Sequence, residues 1–160
     1  MKISSLMRVV IYVWLLLLIG CSSKYDPTLE ASTITISMVT TDSININNNE
    51  EASPIELKVF ELEDDSMFNS ASYDQLALKY KATLKSNYIE DYDYVLLPNK
   101  FKFIEKIKLD ADTRYIGVMA FFSDSDHSDW KKTVKVKTLG RDYHLLIYIK
   151  DNQVMLDRVE

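Results

Sequence analysis

The sequence predicts a mainly-β protein, a β-sandwich of about seven or eight strands with one short helical excursion after the second. Three observations carry this prediction. Apolar residues recur with period two in one segment after another, the mark of a half-buried strand. A single stretch, residues 64–84, breaks the alternation and contains a helix-capping pattern. Beyond an apolar leader the chain holds one domain's worth of residues, and many strands at short spacing favour two packed sheets.

The leader comes first. Val9 to Ile19 carries no charge, and Lys2 and Arg8 lie upstream of it. That is roughly 11 apolar residues, whereas a helix crossing a ~30 Å hydrocarbon core needs about 20. A basic start, a short apolar middle and a small residue at the end describe a secretory signal rather than a signal-anchor helix. Residues 1–20 are therefore expected to be removed. The run ends Leu18-Ile19-Gly20-Cys21, which resembles the lipobox of bacterial lipoproteins. That resemblance implies cleavage between Gly20 and Cys21, a diacylglyceryl group on the Cys21 thiol, and acylation of the freed amine. Several acyl chains, at about 0.8 kcal/mol per buried CH₂, make a stable anchor where one myristoyl chain does not. In Gram-negative lipoproteins an Asp after the cysteine retains the protein at the inner membrane, so Ser22 implies sorting to the outer membrane.

Residues 21–32 read as the lipidated cysteine and a tether, because "SSKYDPTLEAS" is polar, contains Pro27 and has no period. At ~3.3–3.6 Å per residue, about 11 residues reach at most about 40 Å. Residues 33–160 are the expected sandwich domain. In "TITISMV", Ile34, Ile36 and Met38 share one face. In "PIELKVFEL", Ile55, Leu57 and Val59 alternate with Glu56 and Lys58, and the pattern then shifts at Phe60 and Leu62, which predicts a bulge or burial on both faces. Next, Ser72-x-x-Gln75 forms a capping box that places Tyr73, Leu76, Ala77 and Tyr80 on one helix face. "YIEDYDY", Tyr88 to Tyr94, reads as a strand edge with its tyrosines half on the core, or as a binding patch. Pro98-Asn99 is expected to turn it into the following strand.

In "KFKFIEKIKL", Phe101, Phe103, Ile107 and Leu109 are expected on one face. "YIGVMAFF", Tyr115 to Phe122, is apolar throughout, as in a central strand. Val134 and Val136 mark a short strand, and Leu145, Ile147 and Ile149 another. Asp151-Asn152 then makes a two-residue hairpin into the last.

Composition excludes several functions. The chain has 19 Lys and Arg against 24 Asp and Glu, a net charge of −5. Without Lys2 and Arg8 the balance is 17 against 24, or −7. An acidic surface with no basic cluster is expected, which argues against nucleic acid, whose binding rests on grouped Lys and Arg, and against an electrostatic hold on anionic lipid. With Cys21 lipidated no thiol remains for a disulfide, a metal or a nucleophile. Three glycines give no phosphate cradle, and no dinucleotide fingerprint or nucleophile elbow is present. No enzyme activity, cofactor, metal or small-molecule substrate is expected.

One constellation leaves two readings open. Asp124-Ser-Asp126-His127-Ser-Asp129 could gather a hard cation, or serve as a solvated connection between strands. As a calcium loop it lacks Gly at position six and Glu at position twelve.

Three segments together resemble the TssJ family, also called SciN or VasD, the outer-membrane lipoproteins of type VI secretion systems. They are "SPIELKVFEL", Ser53 to Leu62, followed by an acidic turn with Phe68, Tyr73 and Leu76; "RYIGV", Arg114 to Val118, leading to Ala120 and Phe122; and Trp130 after an acidic loop. The likeness spans nearly the whole chain in order. It implies a transthyretin-like β-sandwich that binds the periplasmic C-terminal region of TssM, an inner-membrane protein. The chain departs from the family at residues 42–51, Asn-rich where many members have a Leu-Asn-Pro-like start and a glycine turn. The expected docking residues are Asn45, Asn47, Asn48, Asn49, Glu50 and Glu51, with the loop near Asp124 beside them. Other classes remain as alternatives: an envelope lipoprotein that binds a ligand or metal, or a pilotin-like assembly factor of another secretion system.

Overall fold

The computed structural model describes residues 26–47 and 49–159. The expected cleavage and lipidation sites at Gly20 and Cys21, and Asn48, lie outside them. Eight strands form two four-stranded sheets: β1 (Thr33–Thr40), β2 (Ile55–Leu62), β3 (Tyr88–Leu96), β4 (Phe101–Lys108), β5 (Tyr115–Ala120), β6 (Lys131–Lys135), β7 (Asp142–Lys150) and β8 (Gln153–Val159). One sheet runs β4-β1-β7-β8 and the other β3-β2-β5-β6. All pairings are antiparallel except β1 with β7, which is parallel from Thr33 opposite Asp142 to Thr40 opposite Ile149. Two short helices, α1 (Ser66–Ser70) and α2 (Tyr73–Leu84), lie between β2 and β3. The mainly-β sandwich with one helical excursion after the second strand is thus the observed fold.

The main core fills the space between the sheets. β1 alternates as its sequence does, with Ile34, Ile36 and Met38 fully buried. β7 meets it with Leu145, Ile147 and Ile149, and β2 faces both with Ile55, Leu57 and Val59. A second core lies under the helices. Phe60, Leu62 and Met119 point away from the first core and pack on Phe68, Leu76 and Leu84. The break in pattern at Phe60 is therefore burial on both faces: β2 keeps its period, and the helices cover its second face. Gly117 lets them approach, since a Cβ there would lie 3.1 Å from Leu62 Cδ1 and 3.2 Å from the Phe68 ring.

The capping box forms as the sequence predicts. Gln75 N donates to Ser72 Oγ and Ser72 N to Gln75 Oε1. Leu76 is buried on the predicted face, with Tyr73, Ala77 and Tyr80 packed beside it.

Two expectations are corrected. Phe101 and Phe103 do not share a core face with Ile107 and Leu109. They are 64% and 50% exposed, and Ile104 and Ile107 turn inward instead. The pairing of β4 with β1 shifts register between Ile34, opposite Ile107, and Ile36, opposite Ile104. That bulge places three residues of β4 against two of β1 and reverses the face presented by everything before it. Secondly, Pro98-Asn99 turns no hairpin. β3 and β4 edge different sheets, so the turn is a corner crossing the sandwich. It is held by Thr40, whose hydroxyl donates to Leu97 O and accepts from Lys100 N.

Candidate functional site

The chain direction places four connections at one end of the sandwich: residues 41–54, the 97–100 corner, residues 121–130 and the Asp151-Asn152 hairpin turn. Thr33, Lys108, Tyr115, Lys135 and Asp142 lie at the opposite end. Segments that the sequence spreads over a hundred residues therefore meet on one surface.

Asn45 is the latch. It takes a positive φ of 49°, a conformation Asn tolerates better than most residues. It is 6% exposed, and its side-chain Nδ2 donates to Pro54 O at 2.8 Å. Its Oδ1 accepts from Ser123 N at 2.7 Å, and its own N donates to Asp151 O. Ser43 Oγ adds a hydrogen bond to Asp151 Oδ1 at 2.9 Å, and Asp129 N reaches Asn152 O at 2.9 Å. Ile44, fully buried, pins the start of the first loop into the main core.

Beyond the latch the Asn-rich tip is a small self-bonded turn. Asn47 Oδ1 accepts from Asn49 N at 2.8 Å and Glu51 N at 3.1 Å, and Asn47 N donates to Glu51 O. Asn49, Glu50 and Glu51 project into solvent, and Glu50 has φ 63°. The expected docking residues thus divide. Asn45 and Asn47 shape the loop, and Asn49, Glu50 and Glu51 present its surface. Ile46, 41% exposed beside them, is an apolar member that sequence reasoning missed. Ile44-x-Ile46 has the spacing of a shared strand face, so no sequence signal separated the buried isoleucine from the exposed one.

The acidic loop lies alongside. His127 Nδ1 is 3.0 Å from both oxygens of Asp124, and Lys132 pairs with Asp129. These pairings draw the carboxylates apart, and among the described residues no three His, Cys, Asp or Glu side chains gather as metal ligands. Nor does a catalytic arrangement emerge there: His127 bonds Asp124 at the exposed tip, while His144 bonds Thr35 Oγ1 at 2.8 Å on the outer face of a sheet. Asp42, Glu50, Glu51, Asp124 and Asp126 leave this end strongly acidic. The arrangement presents a polar relief with exposed carboxylates.

The tyrosine-rich β3 is an edge strand. Tyr92 and Tyr94 are half-buried on the main core, and Tyr88 packs in the helix-side cluster. Next to it Lys58, on β2, pairs with Asp91 at 2.8 Å and Asp93 at 2.5 Å. The Tyr80 and Tyr88 hydroxyls also donate to Asp91. Burial opposes the charge on Asp91, but hydrogen bonds from Lys58 and Tyr88 hold its carboxyl below the usual range. Burial likewise opposes the charge on Lys58, and its bonds to Asp91 and Asp93 outweigh that and hold it above its usual value.

The comparisons with known proteins agree with this architecture. Residues 32–152 match the family model T6SS-SciN, the type VI secretion lipoproteins that include VasD, EvfM and TssJ. The T6SS lipoprotein TssJ1 from Pseudomonas aeruginosa superposes with a TM-score of 0.76 at 25% identity, over 81% of this chain and 98% of that one. Serratia marcescens Lip, a membrane-bound component of the type VI secretion system, shares the fold with a TM-score of 0.68 at 19% identity, over 81% and 97%. A chain in the structure described as the T6SS protein TssM C-terminal domain from EAEC does so with a TM-score of 0.64 at 22% identity, over 79% and 98%. Among curated proteins none matches the chain. The family match covers β1 to β7 and the loop cluster at the end of the sandwich, and the chain belongs to the type VI secretion lipoprotein family of TssJ, SciN and VasD.

Proposed function

We propose that this chain is an outer-membrane lipoprotein that anchors a type VI secretion trans-envelope complex by binding the periplasmic C-terminal region of a TssM-like inner-membrane protein. Cleavage between Gly20 and Cys21 and acylation of Cys21 supply the membrane affinity; the domain supplies partner affinity. Joining the two in one chain raises the effective concentration of partner at the membrane. The observation that carries this reading is the loop cluster latched by Asn45, which stands at the end of the sandwich opposite the point where the chain enters from residue 26. That polarity leaves the exposed Asn49, Glu50 and Glu51, with Asn48 just before them in sequence, facing away from the anchor. A neighbour of the same fold in the structure described as TssM's C-terminal domain supports the choice of partner.

The test is affinity purification of the full chain from envelopes, followed by mass spectrometry. A TssM-like protein is expected to co-purify, and replacing residues 47–51 by a short Gly/Ser turn is expected to reduce it while the melting temperature holds. Co-purification of a secretin instead would replace this reading with a pilotin role. A Cys21→Ser chain is expected to lose acylation, read by intact mass, and to leave the outer-membrane fraction. Retention there would remove the anchor from the reading.

A further inference from the structure

β4 ends its sheet, and β3, which the 97–100 corner joins to it, pairs only with β2. The phase of the β4–β1 ladder decides which backbone groups the free edge presents. Thr40 N donates to Lys100 O at 3.0 Å, so Thr40 and Lys100 are a hydrogen-bonded pair. By the alternation of an antiparallel ladder, Lys102 and Ile104, opposite Met38 and Ile36, bond β1 as well. Phe101 and Phe103, opposite Val39 and Ser37, take the positions between, and their N–H and C=O groups point off the sheet. Among the described residues nothing takes up those four groups.

Exposed rings flank them where an edge is normally guarded. Native edges are blunted by charge, proline or a bulge. β4 is blunted in its second half, by the bulge before Ile107 and by Glu105, Lys106 and Lys108. Its first half is not. On the outer face Phe101 ends a row that runs through Val39 and Tyr148 to Met155, one residue from each strand. Phe103, in the next row, stacks on His144 with ring centroids 6.2 Å apart and planes 19° apart.

Lys102 points to the other face, its ammonium 5.3 Å from the centre of the Tyr94 ring on β3. It forms no ion pair among the described residues. The acids of this side are engaged or distant. Asp93 holds Lys58 on the helix side of β3, and Asp142 holds Lys106. Glu61, Glu90 and Asp110 line a cleft at the Lys108 end.

We infer that the Phe101–Phe103 edge of β4 accepts an extended segment of a partner protein as a fifth strand, with apolar residues beside the two rings and an acid opposite Lys102. Main-chain bonds to the four free groups supply affinity, and the alternate side chains supply specificity. In an antiparallel arrangement the residue facing Lys102 sits in a non-hydrogen-bonded pair, where side chains approach most closely. A second copy of β4 fits poorly. Twofold pairing centred on Lys102 opposes it to its own copy, and pairing centred on Phe101 opposes it to Lys100. Centring on Phe103 opposes Lys100 to Lys106 and brings the bulge into the ladder. Like charges directly opposite are destabilising.

The test follows backbone amide exchange in the isotope-labelled full chain, as its host processes it, in detergent micelles. In the free chain the Phe101 and Phe103 amides are expected to exchange fast and those of Lys102 and Ile104 slowly. Two capped seven-residue probes are then added in turn, one alternating valine with glutamate and the other valine with lysine. The glutamate probe is expected to slow exchange at Phe101 and Phe103 roughly tenfold and to bind roughly fivefold more tightly than the lysine probe. Lys102→Glu should reverse that preference. Phe103→Pro removes an edge N–H but no bond to β1, so it should fold and lose the probe. No added protection at Phe101 and Phe103, or the same preference in the parent and Lys102→Glu chains, overturns the inference. Protection of both amides in the free chain that rises with protein concentration gives the edge to a second copy and overturns it too.

Discussion

Asn45 Oδ1 accepts a hydrogen bond from Ser123 N at 2.7 Å, tying together two loops that lie 78 residues apart in the chain. The same side chain donates to Pro54 O, so one buried amide sets the shape of this end of the sandwich. Asn45→Ala leaves the part-buried Pro54 carbonyl and Ser123 N–H without this partner and puts a Cβ without amide support in a left-handed conformation. A loss of about 1–3 kcal/mol in urea unfolding is expected, from the unmade hydrogen bonds. Partner binding should fall with it. Binding unchanged despite the lost stability would show that the loop's shape is not what the partner reads.

Glu50 and Glu51 stand exposed on the tip that Asn47 holds. If this acidic relief meets a basic surface, reversing both to Lys slows association far more than it speeds dissociation, because rim charges act on encounter. A drop of roughly tenfold in on-rate at low salt, vanishing in high salt, is expected in surface-binding kinetics.

The Lys58–Asp91 pair gives a pH signature. Asp91 titrates below its ordinary value in the folded state, so its contribution to stability is present above the unfolded value near ~4 and is lost as pH falls through the folded value. Lys58 titrates above its ordinary value, so its contribution is present below about 10.4 and is lost as pH rises through the folded value. The melting temperature should therefore be flat across neutral pH and fall at both extremes. Asp91→Asn leaves the buried ammonium with only the exposed Asp93, and is expected to cost about 3 kcal/mol at pH 7 while flattening the acid limb. An acid limb as steep as in the parent chain would place the titration elsewhere.

Gly117 admits Phe68 to within contact of the sheet. Gly117→Ala forces a methyl group against the Leu62 and Phe68 side chains, and an overpacking cost of about 1–3 kcal/mol is expected in thermal unfolding. Phe68 and Phe60, edge-to-face at 5.4 Å, should shift together in ring-proton spectra of that variant.

The sequence alone determined what depends on neighbours along the chain. Alternation in β1 and β7 identified strands and their buried faces. Ser72 and Gln75 marked the helix start through bonds made within one turn, and Asp151-Asn152 marked a hairpin through its own backbone. Composition excluded glycine-rich phosphate sites, and ordered segments from Ser53 to Trp130 revealed the family. Tertiary structure alone decided what depends on partners brought together across the sandwich. The bulge opposite Ile34 and Ile36 turned Phe101 and Phe103 outward, because register belongs to a pair of strands and a slip of one residue exchanges the faces on one side of it. The helices' cover made β2 buried on both sides. The Asn45 latch arises because packing two sheets gathers turn residues from distant parts of the chain at one end, a spatial sorting that no window of sequence contains.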